Sequence, residues 1–407
     1  MKPSDHAATS RTDTGAGPLP EYPFNLAEGL RIAEVYEEVR QRPGLLRVRL
    51  AFGEPGWLVT RYADARFILG DRRFSRAAVE YHDEPRESEG HSGKGIMAMD
   101  PPEHTRVREV AARAFTVHQM ERTRPQVRAV TDLLLDAMEE SGQPADLVDR
   151  FALPLPLMVI CRILGIPAED ATEFREWTAG LLSTTNLSEE EFEVHRARMK
   201  AYVAARIEEH RATPQDDLMS RFITARDVER RISEAELVDL CISVLVAGHA
   251  TLSTQIANFT LALLEHPEQY ALLRSRPDLM PRAVEELLRF VPLIRGAKQV
   301  RYATEDVEVG ETLVRAGTPL LIATGAVNRD APHCAAPGVL DIARDGVRHL
   351  AFGHGAHHCL GAPLARVELQ EALTALVTRF PRLRLVGDVT WAADSLMRTP
   401  LTMPIGW

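Results

Sequence analysis

Cysteine is scarce in this chain: four in 407 residues, Cys161, Cys241, Cys334 and Cys359, at no framework spacing. That excludes a disulfide scaffold and matches a reducing, cytoplasmic compartment. An excess of basic charge is missing too. With 48 Lys and Arg against 58 Asp and Glu, the net charge is −10, which argues against nucleic acid as the main partner. No Gly/Ser- or Pro-rich linker and no internal repeat divides the chain, so residues 21–407 are expected to form one large domain. Residues 1–20 are polar and have no apolar core; they are neither signal peptide nor anchor, and a disordered tail is expected. The stretch 241–264 lacks Asp, Glu, Lys and Arg, yet it carries Ser243, His249, Thr251, Ser253, Thr254, Gln255, Asn258 and Thr260. Those are too many polar groups for lipid, so it reads as a long buried helix of a chain without membrane contact.

Hydrophobic residues make up 45% of the chain, an ample core. Alternating runs at 46–52 and 57–62 around Gly53-Glu54-Pro55-Gly56 predict a hairpin. Short strands are expected at 307–309, 319–322, 383–386 and 401–405. Helical period covers 105–118, 123–141, 187–211, 234–265, 267–275 and 280–290. The fold class is mostly α with a small β portion. The polar run 79–95 reads as a surface loop.

Cys359 lies in Phe352-Gly353-His354-Gly355-Ala356-His357-His358-Cys359-Leu360-Gly361, and Ala362-Pro363-Leu364-Ala365-Arg366 opens a helix behind it. Pro363 suits a first turn, where its missing N–H costs nothing. Gly353 and Gly355 permit positive φ and keep side chains from a large flat neighbour, while Gly361 lets the helix approach it. Backbone N–H groups can then point at the sulfur. These are the needs of a cysteine that ligates haem iron as a thiolate. A buried structural cysteine needs no such glycine frame. A zinc site of His354, His357, His358 and Cys359 fits poorly, because adjacent His358 and Cys359 reach one ion with difficulty.

The run Phe-Gly-x-Gly-x-His-x-Cys-x-Gly resembles the haem-binding signature of the cytochrome P450 family and matches all six fixed positions. The resemblance extends from Tyr22-Pro23-Phe24 to the C-terminal strands, and implies the P450 fold with haem b (iron protoporphyrin IX) held by Cys359, Phe352, Gly353 and Gly361. It also implies that Glu286 and Arg289, with Arg344, form a buried ion network behind the haem. Glu-x-x-Arg recurs elsewhere, but this copy precedes Cys359 by 73 residues, as the family requires. Propionate donors by resemblance are His104, Arg108, Arg301, His349 and His357.

By the same resemblance the buried helix is distal, with Ala247, Gly248 and Thr251 at the oxygen groove. Thr251 can bond back to Ala247 and bend the helix. Where the family usually has an acid, this chain has Ala250. The resemblance implies a monooxygenase that hydroxylates or epoxidises its substrate, with protons arriving along waters assisted by His249, Ser253 or substrate hydroxyls. The rival reading is an enzyme that performs nitric oxide reduction, nitration or oxidative coupling instead of oxygenation. A non-catalytic haem sensor is the remaining rival. The loop 79–97 would cover the pocket, and Val244, Leu245, Leu293, Ile294 and Met397 would wall it around a hydrophobic small molecule. With 48 residues after Cys359, no fused reductase is expected. The implied donor to this monomer is a ferredoxin served by an NAD(P)H-dependent reductase, with Arg106, Arg113 and Arg366 as candidate docking groups.

Overall fold

The computed structural model describes residues 18–24, 29–87, 95–167, 170, 174, 189–297, 300–393 and 395–407. The predicted hairpin forms, with Leu46–Val48 antiparallel to Gly56–Val59 and Leu46 opposite Leu58. It is one edge of a five-stranded sheet that continues through Pro319–Ile322 and Arg301–Ala303 to Phe74–Ser75. Gly56–Val59 runs parallel to Pro319–Ile322, and the other pairings are antiparallel.

Three smaller sheets of two, three and two strands accompany the five-stranded one among the described residues, and helices form most of what remains. Glu234–Glu265 starts at a capping box in which Ser233 and Glu236 satisfy each other's backbone N–H. Among the described residues it is the one helix long and apolar enough to cross a membrane. Its residues from Leu252 to Leu263 are all buried inside the protein. Pro154–Leu164 crosses it closely, and Val117–Ser141 packs along Ala362–Arg379. Arg124 and Arg128 of the former both bind Glu371 of the latter, at 2.8 Å.

Several boundaries differ from expectation. The helix expected over 105–118 is Glu103–Ala112, and the next begins at Val117, because the Thr116 hydroxyl accepts the Gln119 N–H and caps it there. Pro154–Leu164 is nearly apolar all round and therefore shows no 3.6-residue stripe to read. The strand expected over 401–405 breaks at Met403 into Pro400–Thr402 and Pro404–Gly406, which pair with different partners. Of the loop expected over 79–97, residues 88–94 lie outside the described part, as do 1–17 of the expected tail. The described flanks are short 3-10 turns at Ala77–Tyr81 and Gly95–Ala98.

Candidate active site

The cysteine loop is held by its own backbone. The Cys359 amide donates to the Phe352 carbonyl at 2.8 Å, and the His358 amide to Gly355 at 3.0 Å. Gly353 and Gly355 both sit at φ +70, where a side chain is strained. A Cβ on Gly355 would stand 2.1 Å from the Leu69 carbonyl, so this glycine docks the loop on the helix Tyr62–Gly70. Its close approach is to protein, which corrects the expectation that both glycines serve a flat neighbour. Of the loop's three glycines, Gly361 is the one where a Cβ would meet no protein atom within 4 Å.

The Cys359 side chain is accessible, yet enough protein surrounds the sulfur for burial to be the largest influence, and it pushes the thiol up. The N–H groups of Gly361 and Ala362 and the Arg108 and Arg366 guanidiniums pull the other way. The sulfur also sits at the N-terminal end of Ala362–Arg379, where the helix dipole favours an anion. A thiol so placed ionises when a metal ion takes up its charge.

Beside the loop lies a crowd of buried cations and imidazoles. His104 and His357 have ring centroids 4.1 Å apart, and Arg301 is 2% exposed. Burial, then Arg301, His104 and Arg76, hold His357 down to about 3. Burial, then Arg76, lowers Arg301 to about 9. The buried His357 Nε2 has no hydrogen-bond partner among the described residues. Asp100, whose charge acts on His104, Arg301 and His357, is itself engaged by Ser75 and by the amides of Arg76 and Ala77. Buried guanidiniums and an orphaned imidazole nitrogen, which donates in one of its two tautomers, fit a dianionic group such as paired propionates. Arg76 was missed in the sequence, because a lone arginine after a two-residue strand looks like any surface arginine.

His349 does not join this cluster. Its Nε2 lies 3.2 Å from Glu285 and its Nδ1 accepts the Ala351 amide, so both nitrogens are engaged elsewhere. Arg108 donates to the His358 carbonyl, bracing the cysteine loop. The Arg366 guanidinium stacks 4.7 Å from the Phe352 ring centroid and binds Glu285. Arg106 and Arg113 are likewise paired, with Glu236 and Glu229.

Glu286 and Arg289 meet in a bidentate pair, both contacts at 2.7 Å, and Arg344 reaches the same carboxylate at 3.1 Å. Arg289 further donates to the Asn328, Pro337 and Val339 carbonyls. The network therefore pins the segment 328–341 that leads into the cysteine loop.

On the distal helix, Ala247 is exposed although the helix runs through the core, and the Thr251 hydroxyl donates to its carbonyl at 3.1 Å. Gly248 turns the other way. A Cβ there would lie 2.7 Å from Ile160 Cγ1, so this glycine lets Pro154–Leu164 cross rather than lining a groove. His249 and Ser253 also face away, buried and bonded to the helix carbonyls of Leu245 and His249. Leu245 is wholly enclosed in the core and walls no pocket, while Val244 is 8% exposed. Leu293 and Ile294 are partly exposed, and Ile294 bridges to the buried Met397.

Residues 18–388 match the family model for cytochrome P450. The chain is 45% identical to the mycinamicin IV hydroxylase/epoxidase of Micromonospora griseorubida, over 95% of this chain and 98% of that one. It is 46% identical to the nocardicin C N-oxygenase of Nocardia uniformis subsp. tsuyamanensis, over 98% and 100%. Among solved structures, HinD with NMFT and NO superposes with a TM-score of 0.92 at 45% identity, covering 96% of this chain and 100% of that one. Cytochrome P450mel 107F1, with biaryl coupling reactivity, does so at 0.91 and 37%, with the same coverage. Sulfur, cation cluster, ion network and distal threonine thus stand on a fold shared along almost the whole length, and the chain belongs to the cytochrome P450 family.

Proposed function

We propose that this enzyme is a cytoplasmic, monomeric monooxygenase of secondary metabolism that binds haem b through Cys359 and hydroxylates or epoxidises a hydrophobic small molecule. The observation that carries the proposal is Cys359 itself. It is accessible at a helix N-terminus, with the Gly361 and Ala362 amides on its sulfur. When bound, haem supplies reductive activation of dioxygen and insertion of one oxygen atom. The relatives that act on mycinamicin IV and nocardicin C support a biosynthetic substrate.

The chain's own residues divide the remaining work. His104, His357 and Arg301, with Arg76 behind them, hold the propionates. Thr251 presents a hydroxyl to the oxygen side, bonded to Ala247 and able to hand on a proton. Leu293, Ile294 and Met397 supply apolar walls. Two adjoining surface clefts share Arg72; one is lined by Arg66, His333 and His354 beside Asp71, the other by Arg106, Arg230 and Arg231 beside Glu109, so basic groups outnumber acids in both. This cationic face next to the cysteine loop supports an acidic ferredoxin, served by an NAD(P)H-dependent reductase, as the electron donor.

A non-oxygenating outcome is the second reading. It is favoured by Ala250 in place of an acid, and by neighbours holding NO or coupling biaryls. Haem-loaded protein, reduced under CO, should show the thiolate-type Soret band, and Cys359→Ser should abolish it; an unchanged band in that variant refutes the ligand. Turnover with ferredoxin, NADPH and labelled dioxygen then separates the outcomes by whether label enters the product.

A further inference from the structure

The acid missing at position 250 leaves open how protons reach Thr251, and the groups named for this in the sequence, His249 and Ser253, face away from it. Ala247, Thr251, Thr254 and Asn258 are spaced four, three and four residues apart and so lie on one stripe of the distal helix. The stripe leads from the exposed Ala247 to the turn 395–399. There Thr254 Oγ1 lies 3.4 Å from Thr399 Oγ1, and Thr399 Oγ1 lies 3.3 Å from Ser395 Oγ. In both contacts either oxygen can be the donor, which is what a chain that passes protons requires.

The turn is firmly placed. The Arg398 amide donates to Leu293 at 2.8 Å, its guanidinium to Gly29 at 2.6 Å, and Asn258 Nδ2 donates to the Arg398 carbonyl at 2.9 Å. Asn258 and Gln255 are 0% and 5% exposed, yet Asn258 Oδ1 and Gln255 Oε1 have no hydrogen-bond partner among the described residues. Two buried acceptors next to a hydroxyl chain are the polar surroundings that hold ordered water.

Building on the monooxygenase reading, we propose that this seam carries protons to Thr251 in place of the missing acid, with Ser395, Thr399 and Thr254 as its relay. Each hop breaks one O–H bond and forms the next: Thr254 passes a proton toward Thr251 and takes one from Thr399, which is refilled through Ser395. Ser395 and Thr399 are partly exposed and recover the proton from water. Thr251 and Thr254 are i,i+3 neighbours with Cβ atoms roughly 5–6 Å apart, a gap one water spans.

The test uses haem-loaded enzyme with a surrogate ferredoxin, its reductase and NADPH, without substrate, in H2O and D2O. Peroxide released per NADPH is measured, the balance being water. In Thr254→Val and Thr399→Val the water-forming share should fall about tenfold and lose its D2O sensitivity, whereas Thr399→Ser keeps both. A wild-type water share in Thr399→Val, or a Thr399→Ser as impaired as the valine variant, overturns the relay. A crystal structure should place ordered water against Asn258 Oδ1, and a dry seam there overturns it equally. Absence of the thiolate-type CO band in the wild type would instead sink the underlying haem assignment.

Discussion

Gly248 of the distal helix lies directly under Ile160 of the crossing helix, with only 2.7 Å between Ile160 Cγ1 and the place a Cβ would take. Gly248→Ala should therefore overpack this crossing and destabilise the fold by roughly 1–3 kcal/mol. Pairing it with Ile160→Val should recover part of the loss, measured as coupling in a urea-unfolding double-mutant cycle. Strict additivity would mean that the two side chains do not collide.

Glu286 holds two guanidiniums, and it is 0% exposed. Removing it as Glu286→Gln strands Arg289 inside the protein, at a cost of about 3–5 kcal/mol. Urea midpoints and haem retention should fall together. A variant that keeps both would show that the carbonyls of Asn328, Pro337 and Val339 are enough for Arg289.

Glu87 fills the notch left by Gly296, where a Cβ would stand 2.5 Å from its Oε1. Burial lifts its carboxyl to about 7, with Arg295 pulling against. The raised value means the folded state holds the proton more tightly than the unfolded chain. Stability should therefore fall as pH rises from about 4.5 to 7 and level off above, by at most about 1 kcal/mol per pH unit. Urea midpoints from pH 5 to 8 should show this slope in the wild type and a flatter one in Glu87→Gln. Equal slopes would place the titration elsewhere.

Thr251→Ala should leave the CO band intact and send most electrons from NADPH into peroxide. Full product yield per NADPH in this variant would show that protons reach the oxygen by a route that bypasses the threonine.

Sequence alone carried whatever depends on neighbours along the chain. The positive φ of Gly353 and Gly355 and the back-bond of Thr251 to Ala247 are local geometry, so spacing sufficed to read them, whereas Glu286 and Arg289 stood out among several Glu-x-x-Arg copies only through the family resemblance. The strands at 307–309 and 319–322 were legible from the same kind of pattern. What each side chain faces was decided only in three dimensions. Gly248 and Gly355 turned out to make room for Ile160 and Leu69, and His349 to serve Glu285, because those partners come from distant parts of the chain. Arg76 joins the cation cluster, and Thr399 reaches the distal helix from 145 residues away, through contacts that leave no periodic trace. Local patterns record backbone conformation, whereas the pairing of buried polar groups is set by packing between elements remote in sequence.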